Sequence, residues 1–156
     1  MPISDLCSKN LICVVRGTSL QYAAQLMKQY HVGGIVVVNA GSEGNNKPVG
    51  IITDRDIVLE AVAENLNLET HVDEIMSANV CTVKLTDGIA SVVEKMEMEG
   101  VRRMIVVDEN GNACGLVSSD DILQLVAKEL NGLGKIVEHQ VENERIFKPQ
   151  QNQLLI

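Results

Sequence analysis

The sequence contains an internal duplication, and this feature limits the fold more than any other. Residues 49–62, VGIITDRDIVLEAV, recur with similar side chains at residues 114–127, CGLVSSDDILQLVA. Upstream of these segments equivalent residues are 69 positions apart, as Val14 and Val83 are, whereas within them the separation is 65. The difference falls in the polar loop at residues 39–48. A length change confined to one surface loop predicts two copies of the same folding unit.

Each copy is predicted to contain a strand, a helix, two further strands and a second helix. In the first copy, Thr18 or Ser19 is expected to begin a helix that runs to about Tyr30, with apolar residues at helical spacing. Residues 35–38 form a β-branched run that is typical of a strand buried on both faces. The same order of elements follows in the second copy.

The predicted fold class is α+β, with two pseudo-twofold-related βαββα repeats packed sheet to sheet, because one copy alone has little core to bury. We place the first repeat at residues 1–66 and the second at residues 70–131. Gly132 and Gly134 are expected to end the last helix. The remaining tail, 132–156, is either a frayed end or a further helix that contacts a partner.

The composition is that of a soluble globular protein, with 46% hydrophobic and 22% charged residues among 156. Thirteen basic and twenty-one acidic side chains give a net charge of −8. This charge argues against general binding to nucleic acid or to an anionic membrane. No apolar run is long enough to span a bilayer, and the first ten residues do not resemble a secretory signal. We therefore expect a cytoplasmic protein.

The four cysteines show no metal-binding spacing. They form no C-x-x-C pair and have no nearby pair of histidines, so no zinc site is expected. An even number of cysteines also fits disulfides. However, Cys13, Cys81 and Cys114 fall in apolar segments, where reduced cysteine behaves as a small hydrophobic residue. Reduced thiols in a reducing compartment are the favoured interpretation.

A hydroxyl followed three residues later by an acid marks the same strand-to-helix turn in both copies, as Thr53 with Asp56 and as Ser118 with Asp121. This spacing fits a capping box, which stabilises a helix by about 1 kcal/mol. It also fits a binding site for a phosphorylated ligand, because the helix N-terminus offers free amide donors and a positive dipole end. The residues alone leave both interpretations open.

These motifs together resemble a tandem pair of CBS domains, also called a Bateman module, over about residues 1–130. The resemblance rests on the IMS turn at residues 75–77, on GVRRMIVVDENG at residues 100–111 and on the G-apolar-x-Ser/Thr-x-x-Asp pattern that opens each last helix. It implies two repeats facing each other across their sheets, with two clefts between them. Family members bind AMP, ADP, ATP, S-adenosylmethionine or NAD there and act as regulators without catalytic activity.

The resemblance implies two sets of ligand-binding residues, each drawn from both repeats. The primary cleft is expected to be lined by Ile51, Thr53, Asp56, Thr82, Val83, Val101, Arg102 and Arg103. The secondary cleft is expected to be lined by Cys13, Val14, His31, Val32, Gly33, Gly34, Leu116, Ser118 and Asp121. In the family the acid binds the ribose hydroxyls, the apolar residue two before the hydroxyl lines the adenine, and the hydroxyl lies near phosphate or ribose.

The two clefts differ in charge. Arg102 and Arg103 offer the primary cleft a fixed positive charge and many N–H donors for a phosphate. The matching positions in the first repeat are Gly33 and Gly34, which offer only backbone. We therefore expect AMP, ADP or ATP in the primary cleft, and a secondary cleft that is empty, weaker or suited to a less charged ligand. Solvated arginines at the start of a strand are the alternative.

Two functions from different classes follow. The favoured one is a regulatory module that binds an adenine nucleotide and forms a homodimer. The alternative is a homodimerising structural or protein-interaction scaffold with vestigial clefts. An enzyme is disfavoured, because the sequence contains no nucleophile–base pair, metal cluster, Walker loop or G-x-G-x-x-G motif. The sequence does not identify the regulated protein.

Overall fold

The computed structural model describes residues 3–7, 11–39 and 46–147. The predictions for the middle of the polar loop, and for the tail after residue 147, lie outside the described residues. The chain divides into two compact units, Met1–Ser119 and Asp120–Ile156. Both sheets belong to the first unit.

The first repeat follows the predicted order of elements. They are β1 (Cys13–Val15), α1 (Leu20–Tyr30), β2 (Gly34–Val38), β3 (Pro48–Thr53) and α2 (Asp54–Asp56), which continues as a π-helical turn (Ile57–Val62). In the three-stranded sheet, β2 lies in the centre, parallel to β1 and antiparallel to β3.

The second repeat has the same order and topology. Its elements are β4 (Thr82–Lys84), α3 (Ile89–Glu99), β5 (Arg103–Val107), β6 (Ala113–Ser118) and α4 (Ser119–Phe147). Again the middle strand, β5, is parallel to the strand before it and antiparallel to the strand after it. The α+β fold with two packed repeats is thus confirmed.

The ends of α1 show how local chemistry sets the predicted helix. The Ser19 hydroxyl accepts a hydrogen bond from the Tyr22 amide at 3.3 Å and caps the first turn. At the other end His31 adopts a left-handed conformation with φ of 54°. The Val32 amide then donates to the Met27 carbonyl at 3.1 Å, which closes the helix as a C-terminal cap does. The helix therefore ends before the Gly33–Gly34 pair.

Alternation along the strands produces two apolar layers. Odd-numbered Ile35 and Val37 of β2 face the helices of their own repeat, where they join the core that contains Leu20 and Ala23. Even-numbered Val36 and Val38 of β2 face the other repeat, as do odd-numbered Ile105 and Val107 of β5, because the 69-residue offset between the repeats reverses the parity. Together with Ala113 these residues form the inter-sheet core. Because β2 and β5 each have neighbours on both faces, their apolar runs are continuous, as the sequence predicted.

The two repeats also exchange their lead-in segments. The Val72 amide, ahead of the second repeat, donates to the Thr18 carbonyl of the first at 2.8 Å. In the equivalent contact the Ile3 amide, ahead of the first repeat, donates to the Asp87 carbonyl of the second at 3.0 Å. Ile3 and Val72 are both fully buried. Each repeat thus completes the core of the other, which makes the pair a single folding unit.

The second unit is formed by α4, and here one prediction is wrong. Gly132 and Gly134 do not end the last helix, because α4 continues through both to Phe147 as one helix of 29 residues. Neither glycine adopts a positive φ. A glycine costs a helix about 1 kcal/mol relative to alanine, and strong helix formers on both sides can offset this cost.

Candidate functional site

The turn between β3 and α2 has the geometry of a capping box. The Asp56 amide donates to Thr53 Oγ1 at 3.2 Å, while the Thr53 amide donates to Asp56 Oδ2 at 2.8 Å. The Thr53 hydroxyl also donates to the same Oδ2 at 2.7 Å. The capping interpretation of this motif is therefore realised. Within the described part of the chain no hydrogen bond reaches Asp56 Oδ1, so this oxygen can still accept one.

Arg103 of the second repeat extends to this turn of the first repeat. A Cβ atom on Gly33 would lie 3.1 Å from Arg103 Nη2 and 3.3 Å from Asp54 Oδ2. A Cβ atom on Gly34 would lie 3.5 Å from Arg103 Cδ and 3.8 Å from Ile51 Cδ1. The guanidinium group therefore lies over the glycine pair, close to the helix N-terminus that begins at Asp54. The contact joins Arg103, which is predicted for the primary cleft, to Gly33 and Gly34, which are predicted for the secondary one, and the role of Arg103 in ligand binding stays a prediction.

The strand register places Ile51 and Thr53 on the face of β3 that looks toward the second repeat. Ile51 pairs with Val36 and Thr53 with Gly34, and Val36 belongs to the inter-sheet core. Both side chains are only half-buried. An apolar side chain, a hydroxyl and Asp56 therefore follow one another along a partly exposed edge of the inter-sheet layer.

The IMS turn docks beside this edge. The Ile51 amide donates to the Ser77 carbonyl at 3.1 Å, and the Ser77 amide donates back to the Ile51 carbonyl at 2.9 Å. Gly50 is required here, because a Cβ atom would overlap Met76 Sδ and lie 3.0 Å from the Ser77 carbonyl oxygen. Met76 packs against the core of the first repeat, which is the filler role that is usual for methionine.

The other residues predicted for the primary cleft have different environments. Val83 is 2% exposed, so its side chain belongs to the interior. Val101 is half-buried and precedes β5, while Arg102 is exposed and its carbonyl accepts from the Ser119 amide at 2.9 Å. Thr82 lines a groove of about 530 Å³ between β4 and α3, and this groove contains neither Asp56 nor Arg103. The structure thus groups Ile51, Thr53 and Arg103 but not Thr82 and Val83 with them.

The residues predicted for the secondary cleft are also dispersed. Cys13 and Val14 line a groove of about 470 Å³ beside α1, and Val14 is buried in the core of the first repeat. Val32 packs against that core, and His31 is the exposed C-terminal cap of α1. Gly33 and Gly34 lie under Arg103, as described above.

Three further residues of the secondary set come from the second repeat. Leu116 packs against the inter-sheet core, and Ser118 is the last residue of β6. Asp121 lies in the first turn of α4, in the second unit. The secondary cleft remains a prediction.

The cysteines are free thiols in the structure. Cys7 is buried, and Cys13, Cys81 and Cys114 are half-buried. Burial raises the pKa of the Cys13 thiol, and it is also the main cause of the raised pKa of Cys81 and of Cys114. These three groups are therefore neutral and weakly reactive near neutral pH.

A sequence profile of the CBS domain matches residues 3–63 and again residues 72–128. The chain belongs to the CBS domain family. An uncharacterized protein of Methanopyrus kandleri is 35% identical over 116 residues, which are 72% of this chain and 57% of that protein. A homoserine O-acetyltransferase of Methanohalobium evestigatum is 30% identical over 124 residues, 80% of this chain but 24% of the enzyme. The chain thus spans between a quarter and about half of these relatives.

Solved structures of CBS domain pairs have the same fold. The CBS domain pair of protein MJ0100, in complex with 5′-methylthioadenosine and S-adenosyl-L-methionine, superposes with a TM-score of 0.72 at 29% identity and covers 83% of this chain and 98% of that one. The CBS domain protein PAE2072 of Pyrobaculum aerophilum, in complex with AMP, gives a TM-score of 0.70 at 25% identity and covers 81% and 99%.

Among the described residues, no helix is both long enough and apolar enough to cross a membrane.

Proposed function

We propose that the chain is a regulatory module that binds an adenosine-containing ligand, with AMP, ADP or ATP favoured, at the β3–α2 turn. The observation that carries this proposal is the position of Arg103, which brings a cation from the second repeat to the turn of the first. Adenosine ligands in two CBS domain pairs of the same fold support it. The module is not itself an enzyme in this proposal, although it matches part of an acetyltransferase.

Each residue of the turn has a role that its geometry allows. Asp56 Oδ1 accepts a hydrogen bond from a ribose hydroxyl, because Oδ2 already accepts hydrogen bonds from the Thr53 amide and hydroxyl. The half-buried Ile51 packs against the adenine. Arg103, with its planar set of N–H donors, binds the phosphate near the N-terminus of α2. Asp54 lies close to the same guanidinium group, so a bound phosphate competes with this carboxylate for the cation.

Thermal unfolding with AMP, ADP, ATP, NAD and S-adenosylmethionine tests this proposal. At a hundredfold excess over Kd a ligand stabilises the folded chain by about 2.7 kcal/mol, which is readily measured. We expect Asp56→Ala to weaken every adenosine ligand, and Arg103→Ala to weaken the phosphorylated ones most. Arg16→Ala, which removes an exposed arginine elsewhere, is the control and should change neither. A folded protein that responds to none of the five ligands contradicts the proposal.

The second candidate is a homodimerising scaffold with vestigial clefts. The exposed apolar side chains of α4 favour it, since they suit a protein contact rather than a solvated tail. Assembly that persists without any ligand, together with a flat ligand response, identifies this function. For both candidates we propose that the chain forms a homodimer. Neither candidate identifies the protein that the module regulates.

A further inference from the structure

One face of α4 carries a regular row of exposed apolar side chains. These are Leu123, Val126, Leu130, Leu133 and Val137, which are 68%, 44%, 62%, 60% and 61% exposed. Their separations alternate between three and four residues. This is the spacing of the a and d positions of a coiled coil, which place one narrow apolar seam along a helix. We call these five residues the α4 row.

A helix of this kind is not expected to remain uncovered in water. At 29 residues α4 is about 43 Å long, and two glycines in its middle lower its intrinsic stability. Most helical stability in proteins comes from packing an apolar face rather than from propensity. The α4 row is therefore expected to be buried against another surface.

The charges beside the α4 row indicate which surface this is. With Leu123 at position a, the e and g positions that flank the α4 row hold one charged residue, Glu129, among Ala127, Glu129, Gly134, Ile136, Val141 and Asn143. The charged residues Asp120, at an e position, and Glu144, at an a position, lie before and after the row. The outward positions, in contrast, carry most of the charges, namely Lys128, Lys135, Glu138, Glu142 and Arg145. In coiled coils, charged residues at the e and g positions determine which helices pair, because opposite charges attract and like charges repel across the contact. Along the α4 row, therefore, an identical helix meets no run of like charges, and Ile136 and Val141 widen the apolar face that it would cover.

We propose that two copies of this chain pair through their α4 rows in a coiled-coil contact. The contact is isologous, because the same five side chains of each copy form it. This inference rests on the homodimer proposed above and not on ligand binding. It names α4 as the surface that joins the two copies.

The molar mass of the full chain in solution tests the contact. Wild type is expected at twice the 17.0 kDa chain mass in light scattering after size exclusion. The double substitution Leu130→Glu with Leu133→Glu, called the seam variant below, puts two carboxylates into the α4 row of each copy. It should reduce the molar mass to that of one chain. Asn131→Glu with His139→Glu adds two carboxylates to outward positions of the same helix and should leave the mass at two chains. If the wild-type protein has the molar mass of one chain, both the homodimer and the α4 contact are refuted. If the seam variant keeps the molar mass of two chains, only the α4 contact is refuted.

A second measurement is independent of any loss of folding. The sequence has no Trp, so a single Trp is a specific fluorescent reporter. Leu133→Trp should emit at short wavelength at high concentration and shift to longer wavelength on dilution, as the copies separate. Lys135→Trp, on the outward side, should emit at long wavelength throughout. Short-wavelength emission from Leu133→Trp at the mass of one chain shows that the chain covers its own helix, which overturns the proposal. Long-wavelength emission at the mass of two chains overturns it as well.

The ligand response separates the two proposals. The thermal shift with AMP should be the same in wild type and in the seam variant if only the α4 contact is lost. If AMP gives no shift in either protein while the seam variant still loses its partner, the ligand proposal fails and the α4 contact stands.

Discussion

Gly33→Ala displaces the Arg103 guanidinium without removing it, and this makes it the most informative single substitution. The new Cβ atom would lie 3.1 Å from Arg103 Nη2, which is closer than ordinary van der Waals contact, and 3.3 Å from Asp54 Oδ2. Gly33 has no positive φ, so the backbone accepts alanine without strain. The end of a flexible arginine gives way more easily than backbone does. The expected structural effect is a shifted guanidinium in an otherwise unchanged fold.

The magnitude follows from the contact that is disturbed. A hydrogen bond to a charged group contributes about 1.5–3 kcal/mol, so complete loss of Arg103 should weaken AMP about 10- to 100-fold. A displaced guanidinium keeps part of this contact, and we expect Gly33→Ala to weaken AMP by about three- to tenfold. Stability should change by less than about 1 kcal/mol, since alanine also reduces the entropy of the unfolded chain.

Gly34→Ala is the matched control, because its Cβ atom would meet Arg103 Cδ at 3.5 Å and Ile51 Cδ1 at 3.8 Å, which are ordinary contacts. Calorimetric titration of AMP and of adenosine into both variants provides the assay. We expect Gly33→Ala to weaken AMP but not adenosine, which has no phosphate, and Gly34→Ala to affect neither by more than about twofold. Equal AMP affinity in wild type and a stable Gly33→Ala variant would falsify the role assigned to Arg103. An equal loss for adenosine would place the damage elsewhere in the site.

Three other predictions concern stability. Gly50→Ala should destabilise the first unit by about 1–3 kcal/mol in urea unfolding, because the added methyl group overlaps Met76. The pKa of Asp87 is lowered, first by the Lys84 amide and then by Lys95, so its contribution to stability is present above its unfolded pKa and is lost as the pH falls through the folded value. Wild type should therefore lose more stability than Asp87→Asn does between pH 6 and the acidic range, and equal losses would contradict this assignment. Gly132→Ala should increase helix stability by about 1 kcal/mol, seen as a higher melting temperature by circular dichroism, since apart from its chain neighbours and the adjacent helix backbone no atom of the described residues lies within 4 Å of its Cβ position.

Much of the fold could be predicted because the duplication makes each repeat a check on the other. A β-branched run such as IVVV at residues 35–38 has one common interpretation, and a similar run, MIVV, lies 69 residues later. The continuation of α4 could not be predicted in the same way, because no second copy of that region exists. Local propensity alone favoured a stop at Gly132, and propensity is a weak guide wherever neighbouring residues support the helix.

The site could be predicted only in part, for a related reason. Spacing placed Thr53 and Asp56 at one turn correctly, since three residues fix their geometry. It could not show that Val83 faces the interior, because the two faces of a short strand differ only in parity and depend on the register. The spacing of residues also could not indicate that Gly50 is required, because its contact with Met76 forms only when two separate segments of the chain pack together.

The glycine pair of the first repeat and the arginine pair of the second differ for a structural reason. Gly34 and Arg103 occupy the same position in the two repeats, and in the folded unit the Arg103 side chain lies on Gly34 itself. In a pseudo-twofold pair this is the behaviour of a position close to the axis, where both copies compete for one volume. A second arginine at Gly34 would have to displace the first, and two guanidinium groups would repel each other at short range. Small side chains in the first repeat are therefore a condition for the cation in the second, and the duplication can supply the charge to one side only.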